Sequence, residues 1–178
     1  MVYKKIETPI GEMIAMATEE GLCMLEFADK KGVDQEMQVL VKAVGEVVTL
    51  AEEAHPILAW LEEELQSYFN GNLDSFTVPL SPIGTPFQKS VWEALQTIPY
   101  GDTCSYGFIA RQIENPKGVR AIGLANGRNH IAIVIPCHRV IGADGKLTGY
   151  AGGLWRKEWL LEHERKFQPY LENGKFTV

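Results

Sequence analysis

The sequence predicts an α+β protein in two parts, a small N-terminal α/β domain over residues 1–80 and a helical C-terminal domain over residues 86–170. Three observations carry the prediction. Short strand-like segments with a hairpin connection open the chain. A proline-interrupted stretch from Val78 to Pro86 then divides it. Beyond the division a longer helix precedes two short helices joined by a turn, the outline of a helix-turn-helix domain.

In chain order, Val2 to Thr8 reads as a strand, and Pro9-Ile10-Gly11 ends it with a turn signal. Met13 to Ala17 and Leu22 to Phe27 flank Thr18-Glu19-Glu20-Gly21, a hairpin connection. Met37, Val41, Val44 and Val48 recur at three- and four-residue intervals and predict a helix over 34–48. A second helix starts at Pro56, whose missing N–H suits a first turn. Its stripe is Ile57, Leu61, Leu65 and Phe69, and Gly71 ends it.

In the second part Thr85 caps a helix that Pro86 begins, and Phe87, Val91 and Leu95 carry it towards Ile98. Pro99-Tyr100-Gly101-Asp102 stops it. Ser105 caps a short helix from Tyr106 to Gln112, with Phe108, Ile109 and Ile113 available for packing. Asn115-Pro116-Lys117-Gly118 turns into a helix from Val119 to Ala125, where small Ala121, Gly123 and Ala125 alternate with Ile122 and Leu124. A helix that approaches a DNA groove closely needs such low bulk. Ile131 to Ile135 is expected as a buried strand ending at Pro136. Gly142 to Gly153 is a glycine-rich loop with the length for a two-stranded wing. A last helix runs from Leu154 to Phe167, with Trp155, Trp159, Leu160 and His163 on or near its packed side.

With 178 residues the chain can bury a real core. It has no low-complexity tract, no membrane-spanning apolar run and no signal-peptide pattern, so a cytoplasmic setting is expected. Three widely spaced cysteines, Cys23, Cys104 and Cys137, argue against a disulfide framework and for a reduced compartment. No Cys/His cluster has structural-zinc spacing, and no metal is expected. The net charge of −6 hides an asymmetry. Residues 1–85 hold 5 Lys/Arg against 15 Asp/Glu, whereas residues 86–178 hold 12 against 8. A mildly basic second half allows nucleic-acid binding through one face.

The chemistry concentrates in Ile135-Pro136-Cys137-His138-Arg139-Val140. An apolar run delivers one thiol, and an imidazole and a guanidinium follow at once. Cationic neighbours favour the thiolate, which is the nucleophilic form of cysteine. Taken by itself, a cysteine after an apolar run is more often a small core residue.

The order of motifs reverses that balance. Gly84-Thr85-Pro86-Phe87-Gln88, Ile98-Pro99-Tyr100-Gly101 and Ser105-Tyr106-Gly107 come first. Val119-Arg120-Ala121-Ile122-Gly123, Ala125-Asn126-Gly127-Arg128-Asn129 and the cysteine segment follow. Leu147-Thr148-Gly149-Tyr150-Ala151-Gly152-Gly153-Leu154 and Trp159-Leu160-Leu161 close the series. Together they resemble the O6-alkylguanine-DNA alkyltransferases, also called methylated-DNA–protein-cysteine methyltransferases. The resemblance is dense over residues 84–164 and weaker over residues 1–80.

The resemblance implies a ribonuclease-H-like N-terminal domain before a winged helix-turn-helix-like alkyltransferase domain. It implies direct reversal of O6-alkylguanine in double-stranded DNA, and of O4-methylthymine, by a monomer without a cofactor. Cys137 would take the alkyl group as a thioether, which has no ready hydrolysis route, so each molecule would act once. His138 would deprotonate Cys137 through a water, with Glu164 orienting the imidazole. Asn129 would tie the recognition helix to the cysteine segment by side-chain hydrogen bonds. Tyr106 would stand by the flipped nucleotide and donate towards the departing base.

For DNA, the resemblance implies that Arg120 fills the stack vacated by the flipped nucleotide. Its helix, with Ala121 and Gly123, would enter the minor groove, and Arg128 would meet phosphate. Pro136, Tyr150, Ala151, Gly152 and Gly153 would line or cover the alkylguanine pocket. Two positions depart from the pattern. His130 stands where many relatives have proline, which would loosen the turn, and Trp155 is bulky beside the pocket loop. Two other classes compete: a non-catalytic lesion-binding relative and a winged-helix regulator. Relatives of the first kind carry tryptophan at the reactive position, where this chain has Cys137.

Overall fold

In a computed structural model the described residues are 1–45, 48–51 and 55–174, the last four of these as backbone. The chain forms two compact units, Met1–Ile83 and Gly84–Val178.

In the first unit β1 (Val2–Ile6), β2 (Met13–Ala17) and β3 (Leu22–Phe27) form an antiparallel meander. The short β4 (Thr49–Leu50) adds parallel to β1, giving the order β3-β2-β1-β4. Every residue of β2 and β3 is buried, which requires cover on both faces of the sheet. Helix α1 (Val33–Val44) packs Val33 and Leu40 with Ile14, Met16 and Met24, and Met37 and Val41 sit around them. The expected extension of α1 to 48 does not form. Gly45 takes a left-handed conformation and closes the helix on Val41. Residues 46 and 47 lie outside the described set, and Val48 is not helical.

Helix α2 (Pro56–Phe69) begins at its proline and packs on β2. Its buried stripe is Leu58, Leu61, Leu65 and Tyr68, so Ile57 and Phe69 are not part of the core. The proline stretch is not wholly a linker. Leu22 N donates to Pro79 O at 2.8 Å and Ser81 N to Leu22 O at 2.9 Å, so Leu80 runs parallel beside β3. Gly21 permits this approach, since a Cβ there would stand 2.7 Å from the Pro79 carbonyl oxygen.

The second unit starts with α3 (Pro86–Leu95). Thr85 and Gln88 form a reciprocal capping box, at 3.2 and 2.8 Å. Ser105 caps α4 (Tyr106–Gln112), and α5 (Val119–Gly127) follows the turn. Helices α3, α4 and α5 pack against one another as the helix-turn-helix outline requires. The Trp92 indole donates to Ala125 O at 2.9 Å, tying the end of α5 to the supporting helix.

Several segments differ from the sequence expectation. Ile131 to Ile135 is buried, but it is a chain of turns rather than a strand, and Ile133 has a φ of +70°. The loop from Gly142 to Gly153 forms no strand pair; it folds back through Gly142 N to Lys146 O at 2.9 Å. Instead β5 (Cys104–Ser105) pairs in parallel with β6 (Val140–Ile141), just after the cysteine segment. Helix α6 (Leu154–Gly174) buries Leu160 and His163 but leaves Trp155 54% exposed, because that residue lies on the outer side of the first turn. Phe108 on α4 also faces solvent rather than the core.

Candidate active site

Cys137 opens a single 3-10 turn, Cys137–Arg139, that is buried throughout. Pro136 precedes the turn and β6 continues from it. Asn129 braces the turn from one side and α6 from the other.

Asn129 is buried against the apolar turns before the cysteine. Its Oδ1 accepts from Ile131 N at 3.0 Å, and its Nδ2 donates to Ile135 O at 2.8 Å and Ile131 O at 3.4 Å. One side-chain amide thus satisfies backbone groups that a strand would have paired. His130, where the resemblance leads one to expect proline, packs beside this segment. Its ring meets the Trp92 indole edge to face, with centroids 5.9 Å apart.

From the other side α6 presents Glu164. His138 Nε2 lies 2.7 Å from Glu164 Oε1. Arg139 grips the same carboxylate with Nε at 2.9 Å and Nη2 at 3.0 Å, and its Nη1 donates to Ile98 O at 2.7 Å. Gly101 N donates to Glu164 Oε2 at 3.1 Å. Gly101 has a φ of +80°, and a Cβ would fall 2.7 Å from the Gln168 side chain, so glycine suits this position twice over. The two-pronged guanidinium contact fixes the carboxylate plane as well as its charge.

The electrostatics follow from that geometry. Burial opposes the Glu164 carboxylate, yet His138 and Arg139 together hold its carboxyl well below the usual range. Burial lowers the His138 imidazole below its ordinary value against the pull of Glu164, and Arg139 and Lys157 add to the lowering. The state is a neutral imidazole beside an ionised carboxylate, because Arg139 already supplies the counter-charge. A carboxylate only accepts, so Nε2 carries the proton. Nδ1 is buried, with no hydrogen-bond partner among the described residues. Its lone pair is available for a proton.

Sequence neighbours suggest Arg139 as the cation beside the thiol, but its guanidinium is engaged with Glu164. A second buried cation is Lys157 on α6; burial lowers its ammonium below its ordinary value, while Cys137 favours its charged form. It is wholly buried, and its Nζ donates to Val140 O at 2.6 Å and Thr148 O at 2.8 Å. Lys157 is not among the residues singled out from sequence. A signal was present all the same: Lys157, Leu160, Leu161 and Glu164 share one helix face at offsets of three, four and seven. Cys104, by contrast, has no such support, and burial pushes its thiol up to about 11.

The remaining residues surround this cluster. Tyr106, half-buried at the start of α4, brings its hydroxyl to 3.5 Å from Thr148 O and 3.4 Å from Thr148 Oγ1. A Cβ on Gly123 would lie 4.0 Å from the Tyr106 ring, so the small-residue face of α5 adjoins it. Arg120 and Ala121 are exposed on α5, and Arg128 is exposed at its end. Leu124, 66% exposed, adds an apolar side chain to that helix surface. In the glycine loop Tyr150 is half-buried, Ala151 exposed and Gly152 buried. Gly152 O accepts from Arg156 Nη1 at 2.9 Å, and the Arg156 guanidinium lies 4.6 Å over the Trp155 ring, beside Gly153. Among the described residues no group of His, Cys, Asp and Glu could hold a metal ion. No described helix is long and apolar enough to cross a membrane.

Comparison with known proteins extends over both units. Residues 1–82 match the ribonuclease-like domain of 6-O-methylguanine DNA methyltransferase, and residues 86–166 match its DNA-binding domain. A methylated-DNA–protein-cysteine methyltransferase of Methanosarcina acetivorans is 51% identical over 164 residues, 92% of this chain and 98% of the relative. A constitutive protein of the same name from Bacillus subtilis is 43% identical over 92% of this chain and 94% of its own. A crystal structure of Mycobacterium tuberculosis OGT in complex with DNA superposes with a TM-score of 0.80 at 43% identity, covering 94% of each chain. With both units matched and the likeness running nearly end to end, the chain belongs to the 6-O-methylguanine DNA methyltransferase family.

Proposed function

We propose that this protein repairs DNA by direct reversal, moving the alkyl group of O6-alkylguanine to Cys137 in a single, irreversible turnover. The observation that carries the reading is the buried His138, held through Nε2 by Glu164 with Nδ1 left open, next to Cys137 in one buried turn. The thiol proton passes through a water to Nδ1, and Glu164 stabilises the imidazolium that forms. The thiolate attacks the alkyl carbon. A sulfur–carbon bond forms as the carbon–O6 bond breaks, and the electron pair stays with guanine. Tyr106 supplies a proton to the departing base, and the proton that His138 took from the thiol is released to solvent as the tyrosinate is reprotonated, so no charge is left on base or protein. The product thioether keeps the alkyl group. DNA is the alkyl donor, so the reaction requires no cofactor. The same displacement at carbon would serve O4-methylthymine.

The exposed surface of α5 suits the minor groove, with Ala121 and Gly123 allowing close approach and Arg120 placed to fill the gap left by a flipped nucleotide. Arg128 contributes phosphate attraction. Pro136, Tyr150, Ala151, Gly152 and Gly153 shape the base pocket. The thiol chemistry fits a monomer acting in a reducing, cytoplasmic setting.

Intact-mass analysis after incubation with a duplex bearing one O6-methylguanine tests the reading. One methyl group should appear, map to Cys137, and match guanine restored mole for mole. Cys137→Ala should abolish transfer and retain DNA affinity. A methyl group mapping to Cys104 or Cys23 overturns the assignment.

A further inference from the structure

Lys157 combines three properties that rarely coincide. Its side chain is wholly buried, its ammonium donates to two backbone carbonyls, and no carboxylate lies within ion-pairing distance among the described residues. Isolated buried ammonium groups are costly, and they persist where something compensates. The two carbonyls supply dipoles but no net charge. Arg139 and Glu164 neutralise each other, and His138 is neutral. Among these buried groups Lys157 is therefore the positive charge that remains unmatched. Burial holds the Lys157 ammonium below its ordinary value, and an ionised Cys137 works against that lowering by favouring the protonated lysine.

The two carbonyls are also informative in themselves. Val140 follows the cysteine turn directly and closes it, Val140 N donating to Cys137 O. Thr148 sits in the glycine loop, and its carbonyl also meets the Tyr106 hydroxyl. One ammonium thus links the turn that carries the thiol, the loop beside the pocket and, through Thr148, the first residue of α4.

We propose that Lys157 is a positioning residue and the counter-cation of Cys137, holding the thiol turn and the pocket loop together while stabilising the thiolate. This rests on the reading of Cys137 as the alkyl acceptor. The relay moves the thiol proton to His138 within the cluster, so the net charge is unchanged, but the new charges are separated: Glu164 answers the imidazolium and Lys157 answers the thiolate. The histidine relay removes the proton, and Lys157 stabilises the anion left behind in a buried site.

The test is the pH profile of Cys137 reacting with iodoacetamide in the DNA-free protein, with the adduct mapped by peptide mass. In Lys157→Met, which keeps length and removes charge, the profile should move up by about one pH unit or more, a roughly tenfold slower reaction at neutral pH. A profile identical to wild type overturns the proposal. Should Lys157→Met fail to fold, the reciprocal measurement serves. The Lys157 ammonium, followed by NMR with labelled lysine, should lose its proton at lower pH in Cys137→Ala than in the parent protein. An unchanged titration also overturns the proposal. Thiol reactivity and methyl transfer are separate readouts. Wild-type protein that fails to accept methyl from DNA would sink the proposed function while leaving the Lys157 profile to be judged by itself.

Discussion

Glu164 shows how one buried residue determines the chemistry of another. Its carboxylate takes His138, both prongs of Arg139 and the Gly101 N–H, and so sets the imidazole tautomer. Glu164→Gln keeps the shape, loses the charge and leaves Arg139 without its counter-ion. Single-turnover methyl transfer should fall by about 10²-fold or more, the usual scale for general-base catalysis. DNA affinity, measured by fluorescence anisotropy, should stay close to wild type. A rate loss matched by an equal loss of DNA affinity would refute the orienting role. The same variant should be less stable by roughly 3 kcal/mol, since breaking a buried ion pair leaves an uncompensated charge. A second residue-scale prediction concerns Ile133. A β-branched residue at a φ of +70° is strained, and its neighbours hold it there by burial and by the Asn129 bonds. Both Ile133→Ala and Ile133→Gly should destabilise by emptying a core position. Urea unfolding should nevertheless find the glycine variant more stable than the alanine variant by about 1 kcal/mol, the reverse of the usual order. The usual order at this position would mean that the turn carries no backbone strain.

At the scale of elements, α5 is the part whose surface and core faces do different work. Ile122 and Ala125 pack inward and the Ala125 carbonyl is held by Trp92, while Arg120 and Leu124 are exposed. Arg120→Ala should therefore leave the fold intact. It should impair repair in duplex DNA at least about tenfold more than reaction with free O6-benzylguanine, because only the duplex must be unstacked, at about a few kcal/mol. Placing the lesion in a mismatch should restore part of the lost rate. Equal losses on both substrates would point to a collapsed pocket instead. The helices were readable from sequence where cap, periodicity and stop signal agree. Ser105, Thr85 with Pro86, and Pro56 each mark a helix start that the structure keeps. The strands of the first unit were readable because turn signals bound them. Ile131 to Ile135 was not, because an unbroken apolar run carries no period and fits any buried path. Its shape is decided by the Asn129 side chain upstream, through bonds that no hydrophobic pattern encodes. The glycine loop has the length for a two-stranded wing, but its Gly152 and Thr148 carbonyls go to Arg156 and Lys157. Both cations look like surface charges in sequence. Only the placement of α6 against the cysteine turn brings them inside, and the same placement joins Glu164 to His138.

For the whole molecule, the two units carry buried carboxylates of opposite behaviour, and this sets how each responds to acid. In the second unit burial lowers the His138 imidazole below its ordinary value of 6.5. Below that pH the unfolded chain takes up a proton that the folded unit resists, so stability falls as pH falls, by at most about 1.4 kcal/mol per pH unit. The depressed carboxyl of Glu164 adds a loss of the same sign once the pH drops below its ordinary 4.5. In the first unit Glu26 is buried on β3, with Lys30 at 2.7 Å and Phe27 N at 3.0 Å, and Lys30 also holds Glu36 at 2.6 Å. Burial raises the Glu26 carboxyl above its ordinary 4.5 despite Lys30. As pH falls through that raised value, the folded unit takes up the proton first, so this group stabilises the fold on mild acidification. Hydrogen exchange followed between about pH 7 and pH 5, corrected for the intrinsic rate, should therefore show protection falling in α6 and the cysteine turn before it falls in β2 and β3. Loss of protection in the reverse order would mean that Glu26 and His138 do not govern the acid response. A pH-independent pattern in Glu164→Gln combined with His138→Gln, with β2 and β3 unchanged, would assign the second unit's share to the relay itself.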